Sequence, residues 1–167
     1  MTELQAAVAI AQVGKLDGIV ARRRAWCGAL LESIQDLPGL LPPVPTPGGN
    51  PSWWFFAFRV DPDELGASAA EFAKALQAEG LPVGAGYIGR PVYEFPLFAN
   101  RSAFERGAHP FAAYPYAHGL CPNAEEILRT IVILNINEAY SERNLEETVA
   151  AIRRNARWFR ARTTGGA

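Results

Sequence analysis

The feature that most constrains the fold is the opening stretch, MTELQAAVAIAQVGKLDGIVARRRAW, which would be apolar on nearly every side of a helix. Thr2 followed by Gln5 is typical of a capping box, in which two side chains bond the free amides of the first helical turn. Because a helix that is apolar all round is normally buried between two bodies, we predict that both of its faces are covered. The alternative is an alanine-rich helix with one weakly apolar face in water.

Composition narrows the class of protein and of partner. The 167 residues are enough for one domain with a single core, and 49% apolar with 20% charged residues is typical of globular proteins. A net charge of -1 gives no electrostatic reason to expect nucleic acid or an anionic membrane as a partner. No secretion signal is visible, and the apolar run IVIL is far shorter than the ~20 residues that span a bilayer. Neither nucleic acid nor membrane is therefore predicted as a partner.

The cysteines and histidines give little indication of a metal site. Cys27 and Cys121 are isolated, so neither a disulfide framework nor a zinc motif is indicated, and a reducing cytoplasm is the expected location. Cys121 is interpreted as a small buried apolar residue. His109 and His118 are nine residues apart without a third ligand at an evident spacing. We predict no metal site.

The chain divides into four segments by composition. A long helix, interrupted or loosened by its glycines, is predicted over 1–35. The proline- and glycine-rich segment 36–52 then serves as a connector. A compact domain follows over 53–162, and the tail 163–167 is expected to be disordered.

Within the compact domain, aromatic and β-branched runs alternate with helical patterns. We predict an α+β fold with a small, mostly antiparallel three-stranded sheet built from 53–60, 82–87 and 130–135. Helices at 67–79 and 141–160 are expected on one face, with the long first helix crossing it. The inner stripe of the last helix is predicted as Leu145, Val149, Ile152 and Trp158. Residues 86–123 hold five prolines and no sustained period, and such long loops are usually functional.

Three stretches together resemble a known family: MTELQAAVAIAQVGKLDGIVARRR, GLPVGAGYIGRPVYEFPLF and GLCPNAEEILRTIVILNINEAYSERNLEETVAAIRR. In this order they are similar to the C-terminal half of the pyridoxal-phosphate (PLP)-dependent sugar aminotransferases of the DegT/DnrJ/StrS family. The resemblance implies the small C-terminal domain of a fold-type I aminotransferase, preceded by the helix that joins it to a large cofactor-binding domain. It also suggests what covers the second face of the first helix.

Transamination by such an enzyme needs a lysine that holds the cofactor covalently. Lys15 and Lys74 are the only lysines, and neither follows a glycine- or serine-rich turn suited to a phosphate. We therefore predict no catalytic and no cofactor-binding residue in this chain, and PLP only in the complete family enzyme. The implied partners are a cofactor-binding large domain or separate subunit, a second copy in a homodimer, and a sugar-nucleotide or cyclitol substrate.

The family segment that matches GYIGRPVYEFPLF faces the mouth of the active site. By position, the resemblance implies Tyr87, Arg90 and Tyr93 as substrate-binding candidates, with Arg90 suited to a carboxylate or phosphate. Many members carry a histidine where this chain has Gly86, so a histidine role does not transfer. The alternative interpretation makes both tyrosines core residues and Arg90 a turn residue with backbone partners.

The resemblance implies amino transfer from an amino acid such as glutamate or glutamine to a keto-sugar, in amino-sugar or aminocyclitol biosynthesis. This chain is expected to be inactive alone, as a truncated or separately encoded part. The alternative hypothesis is a non-catalytic dimerisation or sugar-binding module. Asn135, Asn137 and Glu138, just past the last predicted strand, are expected to make turn and capping hydrogen bonds.

Overall fold

The structure, a computed structural model, describes residues 1–102 and 115–164. Two helices come first and a four-stranded sheet with further helices follows. In chain order the elements are α1 (Glu3–Val13), α2 (Leu16–Ile34), β1 (Leu40–Leu41), β2 (Phe55–Val60), α3 (Pro62–Leu65), α4 (Ala69–Ala78), β3 (Val83–Ala85), a 3₁₀ turn (Val92–Glu94), α5 (Pro96–Ala99), α6 (Pro122–Thr130), β4 (Ile131–Asn135) and α7 (Glu142–Thr164).

The sheet has the strand order β1-β2-β4-β3, and every neighbouring pair is antiparallel. The α+β class and the antiparallel character are confirmed, but the prediction of three strands is wrong. The fourth strand, β1, lies inside the predicted connector 36–52, where Leu40 pairs with Val60. Leu40 and Leu41 are two adjacent leucines in a proline-rich segment, so they cannot show the alternation of apolar and polar residues that indicates a strand.

The core lies on one face of the sheet. Along β2, Phe56, Phe58 and Val60 are buried and alternate with half-buried residues, as expected for a strand with one covered face. Helices α2, α4 and α7 supply the rest of this core through residues such as Leu30, Phe72 and Ile152. The two helices predicted for one face, α4 and α7, therefore contribute to this core together with α2.

The opposite face of the sheet is only partly covered. Helix α6 lies over one end of it, where Arg59 Nε donates a hydrogen bond to Thr130 Oγ1 at 2.8 Å. Phe55 and Ala57 lie on the same face and remain half-buried. We call this surface the open face of the sheet.

The long helix predicted over 1–35, interrupted or loosened by glycines, consists of two helices that meet at an angle of 48°. The capping box of Thr2 and Gln5 is present at the start of α1. Gly14 ends α1 and Lys15 precedes α2, since glycine is among the residues least favourable to a helix interior. In the part of the chain that the structure describes, no single helix is long and apolar enough to cross a membrane, although α1 and α2 pass that test as a bent pair.

Of the first two helices, only α2 contributes to the core. It buries Trp26, Cys27, Leu30 and Ile34, whereas α1 has no buried residue. The expectation that both faces of the opening helix are covered is thus not met by the described residues for α1.

Helix α7 begins after Ser141, whose Oγ accepts a hydrogen bond from the Asn144 amide at 3.3 Å. Its inner stripe differs from the prediction at one position, because Trp158 is 52% exposed and Phe159 is buried instead. Trp158, six residues after Ile152, lies about 240° around the helix from it. Phe159, seven residues after Ile152, lies within about 20° of the same side. The helical period therefore places Phe159 against Phe72, with ring centroids 6.1 Å apart.

Candidate functional site

Tyr87 stands on a tight turn directly after β3. The Gly86 amide donates to the Ile131 carbonyl at 3.1 Å, and both Gly86 (φ 78°) and Tyr87 (φ 44°) are left-handed. This conformation costs a non-glycine residue roughly 1–2 kcal/mol, and such strain is concentrated at functional sites. It brings the Tyr87 ring to 5.5 Å from that of Phe55, with the side chain 56% exposed. Tyr87 is therefore not a core aromatic residue.

Trp54 extends this aromatic surface. Its ring lies 5.6 Å from that of Phe55, and the residue is 74% exposed. We call Trp54, Phe55 and Tyr87 the aromatic edge. The preceding Trp53 turns the other way and stacks on the buried Phe56 at 5.4 Å. The aromatic edge thus offers flat apolar rings and a phenolic hydroxyl to a ligand or partner.

Arg90 lies further along the same loop and is exposed. Its guanidinium is 5.9 Å from the centre of the Phe95 ring, a cation–π distance. It lines a cleft of about 470 Å³ together with Glu94, His118 and Glu125. Arg90 can therefore supply positive charge to a group in this cleft.

The Tyr93 hydroxyl is held by protein groups. It donates to the Glu125 carboxylate and accepts from the Cys121 amide at 3.2 Å. Burial, followed by the bond to Glu125, raises the pKa of Tyr93 to about 12. Tyr93 thus ties the 3₁₀ turn to the start of α6, and the same carboxylate lines the cleft beside Arg90.

His118 lies between two carboxylates. Its Nδ1 is 3.0 Å from Glu94 Oε1, and its Nε2 is 3.4 Å from Glu125 Oε2. The hydrogen bond to Glu94 and then the charge of Glu125 raise the pKa of His118. The pKa of Glu125 is lowered, chiefly by the Tyr93 hydroxyl. We call Glu94, His118 and Glu125 the loop cluster. The histidine was a candidate from its spacing to His109, whereas no sequence motif marks either carboxylate. The second histidine, His109, lies outside the described residues.

Two smaller predictions have different outcomes. Asn137 makes the expected turn bond, because its Oδ1 accepts from the Ala139 amide at 2.8 Å. Glu138 instead forms an ion pair with Arg23 at 2.7 Å, which no local spacing indicated. The interpretation of Cys121 as a buried apolar residue is wrong, since it is exposed at the start of α6, while Cys27 is fully buried.

The fold of this chain is similar to that of part of solved aminotransferase structures. DesV of S. venezuelae, solved with a ketimine intermediate, matches with a TM-score of 0.76 and 26% identity over 93% of this chain and 37% of that protein. PseC of Helicobacter pylori, an aminotransferase of pseudoaminic acid biosynthesis, matches with a TM-score of 0.73 at 14% identity, over 95% of this chain and 38% of its own. The similarity defines the class of fold.

The profile of the DegT/DnrJ/EryC1/StrS aminotransferase family matches residues 1–153, and the chain belongs to that family. The spore coat polysaccharide biosynthesis protein SpsC of Bacillus subtilis (strain 168) is 24% identical over 92% of this chain and 36% of its own length. The dTDP-4-dehydro-2,6-dideoxy-D-glucose 3-dehydratase of Saccharopolyspora spinosa is 41% identical over 48% of this chain and 17% of its own. This chain thus spans little more than a third of the relatives it matches.

PLP is the cofactor of the complete enzymes in this family, and a lysine holds it covalently. Lys15 is exposed at the bend between α1 and α2, and Lys74 is exposed on α4. Neither lines the cleft beside Arg90. Within the described ranges, neither lysine of this chain therefore points to the cleft beside Arg90.

Proposed function

We propose that this chain acts as the small-domain part of a PLP-dependent sugar aminotransferase and is inactive alone. The cofactor-binding lysine comes from a large domain or a separate subunit, and the complete enzyme is a homodimer. It transfers an amino group from an amino acid such as glutamate or glutamine to a keto-sugar, as a sugar nucleotide or cyclitol. The observation that carries this proposal is the apolar surface of α1, which the described residues leave uncovered.

The apolar surface of α1 is large for a helix in water. Side chains that are 56% to 95% exposed lie on it or next to it: Met1, Leu4, Val8, Ile10 and Val13. Each Å² of apolar area removed from water stabilises a complex by about 25 cal/mol. Apolar side chains exposed to this extent along a helix are typical of an interaction surface. A large domain packed against α1 accounts for it. The coverage of little more than a third of SpsC and of DesV supports that partner.

The substrate contribution is assigned to Tyr87 and Arg90. Tyr87 presents its ring and hydroxyl from a left-handed turn on the open face. Arg90 carries a planar cation suited to a phosphate or carboxylate. Tyr93, whose hydroxyl is already bonded by Glu125 and the Cys121 amide, supports the loop on which Arg90 lies.

One experiment tests inactivity of the isolated chain. The 167-residue chain is incubated with PLP and reduced with borohydride, and the product is analysed by mass spectrometry. We expect no stoichiometric adduct on Lys15 or Lys74, because both side chains lie on exposed helix surfaces. A stoichiometric adduct on either lysine, or conversion of a keto-sugar by the purified chain, would contradict the proposal.

A second experiment tests the partner. Co-expression with a cofactor-domain protein of the same family should give a complex with aminotransferase activity. Ile10→Glu should weaken that complex at least tenfold, whereas Gln12→Glu on the same helix should leave it intact, because Ile10 is an exposed apolar residue. Within the complex, Tyr87→Ala should lower kcat/KM. An inert mixture, or equal effects of the two charge variants, would count against the proposal.

The same apolar surface favours one alternative, a non-catalytic dimerisation or sugar-binding module. In that module α1 would pair with α1 of a second copy of the chain. Light scattering distinguishes the two. A stable dimer that Ile10→Glu dissociates, with no affinity for the cofactor-domain protein, would favour the module. A monomer that binds the cofactor-domain protein would favour the enzyme part.

A further inference from the structure

We propose that the loop cluster of Glu94, His118 and Glu125 is a binding site for a divalent transition-metal cation. Each residue offers one ligand atom, and these atoms all lie within 4.8 Å of one another. The three residues come from the 3₁₀ turn, the segment before α6 and α6 itself. Such convergence of separate segments depends on the tertiary fold.

The chemistry of the three side chains fits a metal of intermediate hardness. One imidazole and two carboxylates form the nitrogen and oxygen set that binds Zn²⁺ at roughly 2.0–2.2 Å, with a fourth position left for water. His118 contacts one carboxylate through each ring nitrogen, at 3.0 and 3.4 Å. Its side chain is 81% exposed, so the ring has room to turn one nitrogen toward a shared ion.

The carboxylates are more enclosed than the histidine. The side chains of Glu94 and Glu125 are 26% and 12% exposed, so two negative charges meet in a partly desolvated position. Among the ion pairs of the described residues, His118 contacts both carboxylates, and it carries at most one positive charge. Arg129, on the same cleft, is engaged with Glu126 at 2.8 Å. A divalent cation would balance both charges.

Neighbouring groups orient Glu125. Its Oε1 accepts the Tyr93 hydroxyl and, at 2.6 Å, the Gly119 amide. Its other oxygen, Oε2, then lies toward His118. Hydrogen bonds of this kind to a ligand carboxylate are typical of metal sites, where they fix the ligand and raise affinity. Tyr93 is therefore assigned as a positioning residue for this site.

The test is a titration of the 167-residue chain with Zn²⁺ by calorimetry and with Co²⁺ by visible absorbance. We expect one ion per chain and a Co²⁺ band of low-symmetry coordination. His118→Ala and Glu94→Gln should each weaken binding at least tenfold, and Tyr93→Phe should weaken it less. Glu126→Gln is the matched control and should leave affinity unchanged. Circular dichroism verifies that each variant is folded.

Three results would overturn the proposal: no stoichiometric binding of either ion, unchanged affinity in His118→Ala, or an equal loss in Glu126→Gln. None of these depends on aminotransferase activity, so the test is separate from that of the proposed function.

Discussion

The guanidinium of Arg23 on α2 joins three distant parts of the chain. Its Nη2 lies 2.7 Å from Glu138 Oε2, in the turn after β4. Its Nη1 donates to the carbonyls of Trp53 and Trp54 at 3.3 and 3.4 Å, where the chain enters β2. One side chain thus holds the start of the aromatic edge against the helix layer.

The first prediction concerns the shape of that cation. Arg23→Lys should lower the Tm by about 3 °C or more, because an ammonium cannot reproduce the planar set of donors that reaches Glu138 and both carbonyls. Arg143→Lys is the matched control, since its ion pair with Glu147 has side chains 84% and 56% exposed. Thermal unfolding followed by circular dichroism measures both. Equal Tm values for the two variants would show that the planar contacts of Arg23 stabilise the fold no more than an exposed ion pair does.

The second prediction concerns pH. The bond from Arg23 holds the pKa of Glu138 below its usual value of 4.5. Because the folded pKa is lower than the unfolded one, the stabilisation is fully present above pH 4.5 and is lost as the pH falls through the folded value. The difference in the free energy of unfolding between the native chain and Glu138→Gln should therefore shrink with acidification. Urea unfolding at a series of pH values checks this, and a difference that grows toward low pH would refute it.

The third prediction compares two adjacent aromatic residues of α7. Phe159→Ala should lower the free energy of unfolding by about 3 kcal/mol, because it leaves a cavity next to Phe72. Trp158→Ala should cost less than about 1 kcal/mol, since this side chain is 52% exposed. Denaturant unfolding measures both values. The reverse order would mean that the helix faces the core with Trp158.

The fourth prediction concerns the two thiols. Burial raises the pKa of Cys27 to about 12, so this thiol is both inaccessible and protonated at neutral pH. Cys121 is exposed. Ellman's reagent should therefore titrate one thiol per folded chain and two in guanidinium chloride, and Cys121→Ser should remove the reaction of the folded protein. Rapid labelling of Cys27 without denaturant would contradict this.

The fifth prediction compares two left-handed glycines. Gly39 has φ 80°, and an added Cβ would lie 2.7 Å from the Leu65 backbone, whereas Gly48 has φ 77° and open space around it. Gly48→Ala should cost only the backbone strain, about 1 kcal/mol, and Gly39→Ala clearly more, because the rigid backbone of α3 must move. Chemical unfolding of both variants decides this. Equal losses would mean that the contact with Leu65 is easily relieved.

Much of the secondary structure was predictable because its signals are local. The capping boxes of Thr2 and Ser68 mark the starts of α1 and α4, and both are present. The alternation of Phe56 and Phe58 with less buried neighbours marks β2. The two-residue strand at Leu40 was missed, because it depends on pairing with Val60 in the sheet.

The candidate site was predictable only in part. The family motif indicated Tyr87, Arg90 and Tyr93, but motif position did not separate Tyr87, on the open face, from Tyr93, whose hydroxyl is bonded to Glu125. His118 and Glu94 are 24 residues apart in the chain. No spacing rule relates them, since a long irregular loop has no period.

The sequence by itself therefore determined the helices, the principal strands, the α+β class and the resemblance to one family, because each rests on periodicity, capping or motif order within short stretches. The tertiary structure alone decided which groups meet: Arg23 with Glu138, Tyr93 with Glu125, and His118 with two carboxylates. The physical reason is that these contacts join segments whose relative position is set by packing of the shared core, and no local free energy specifies it.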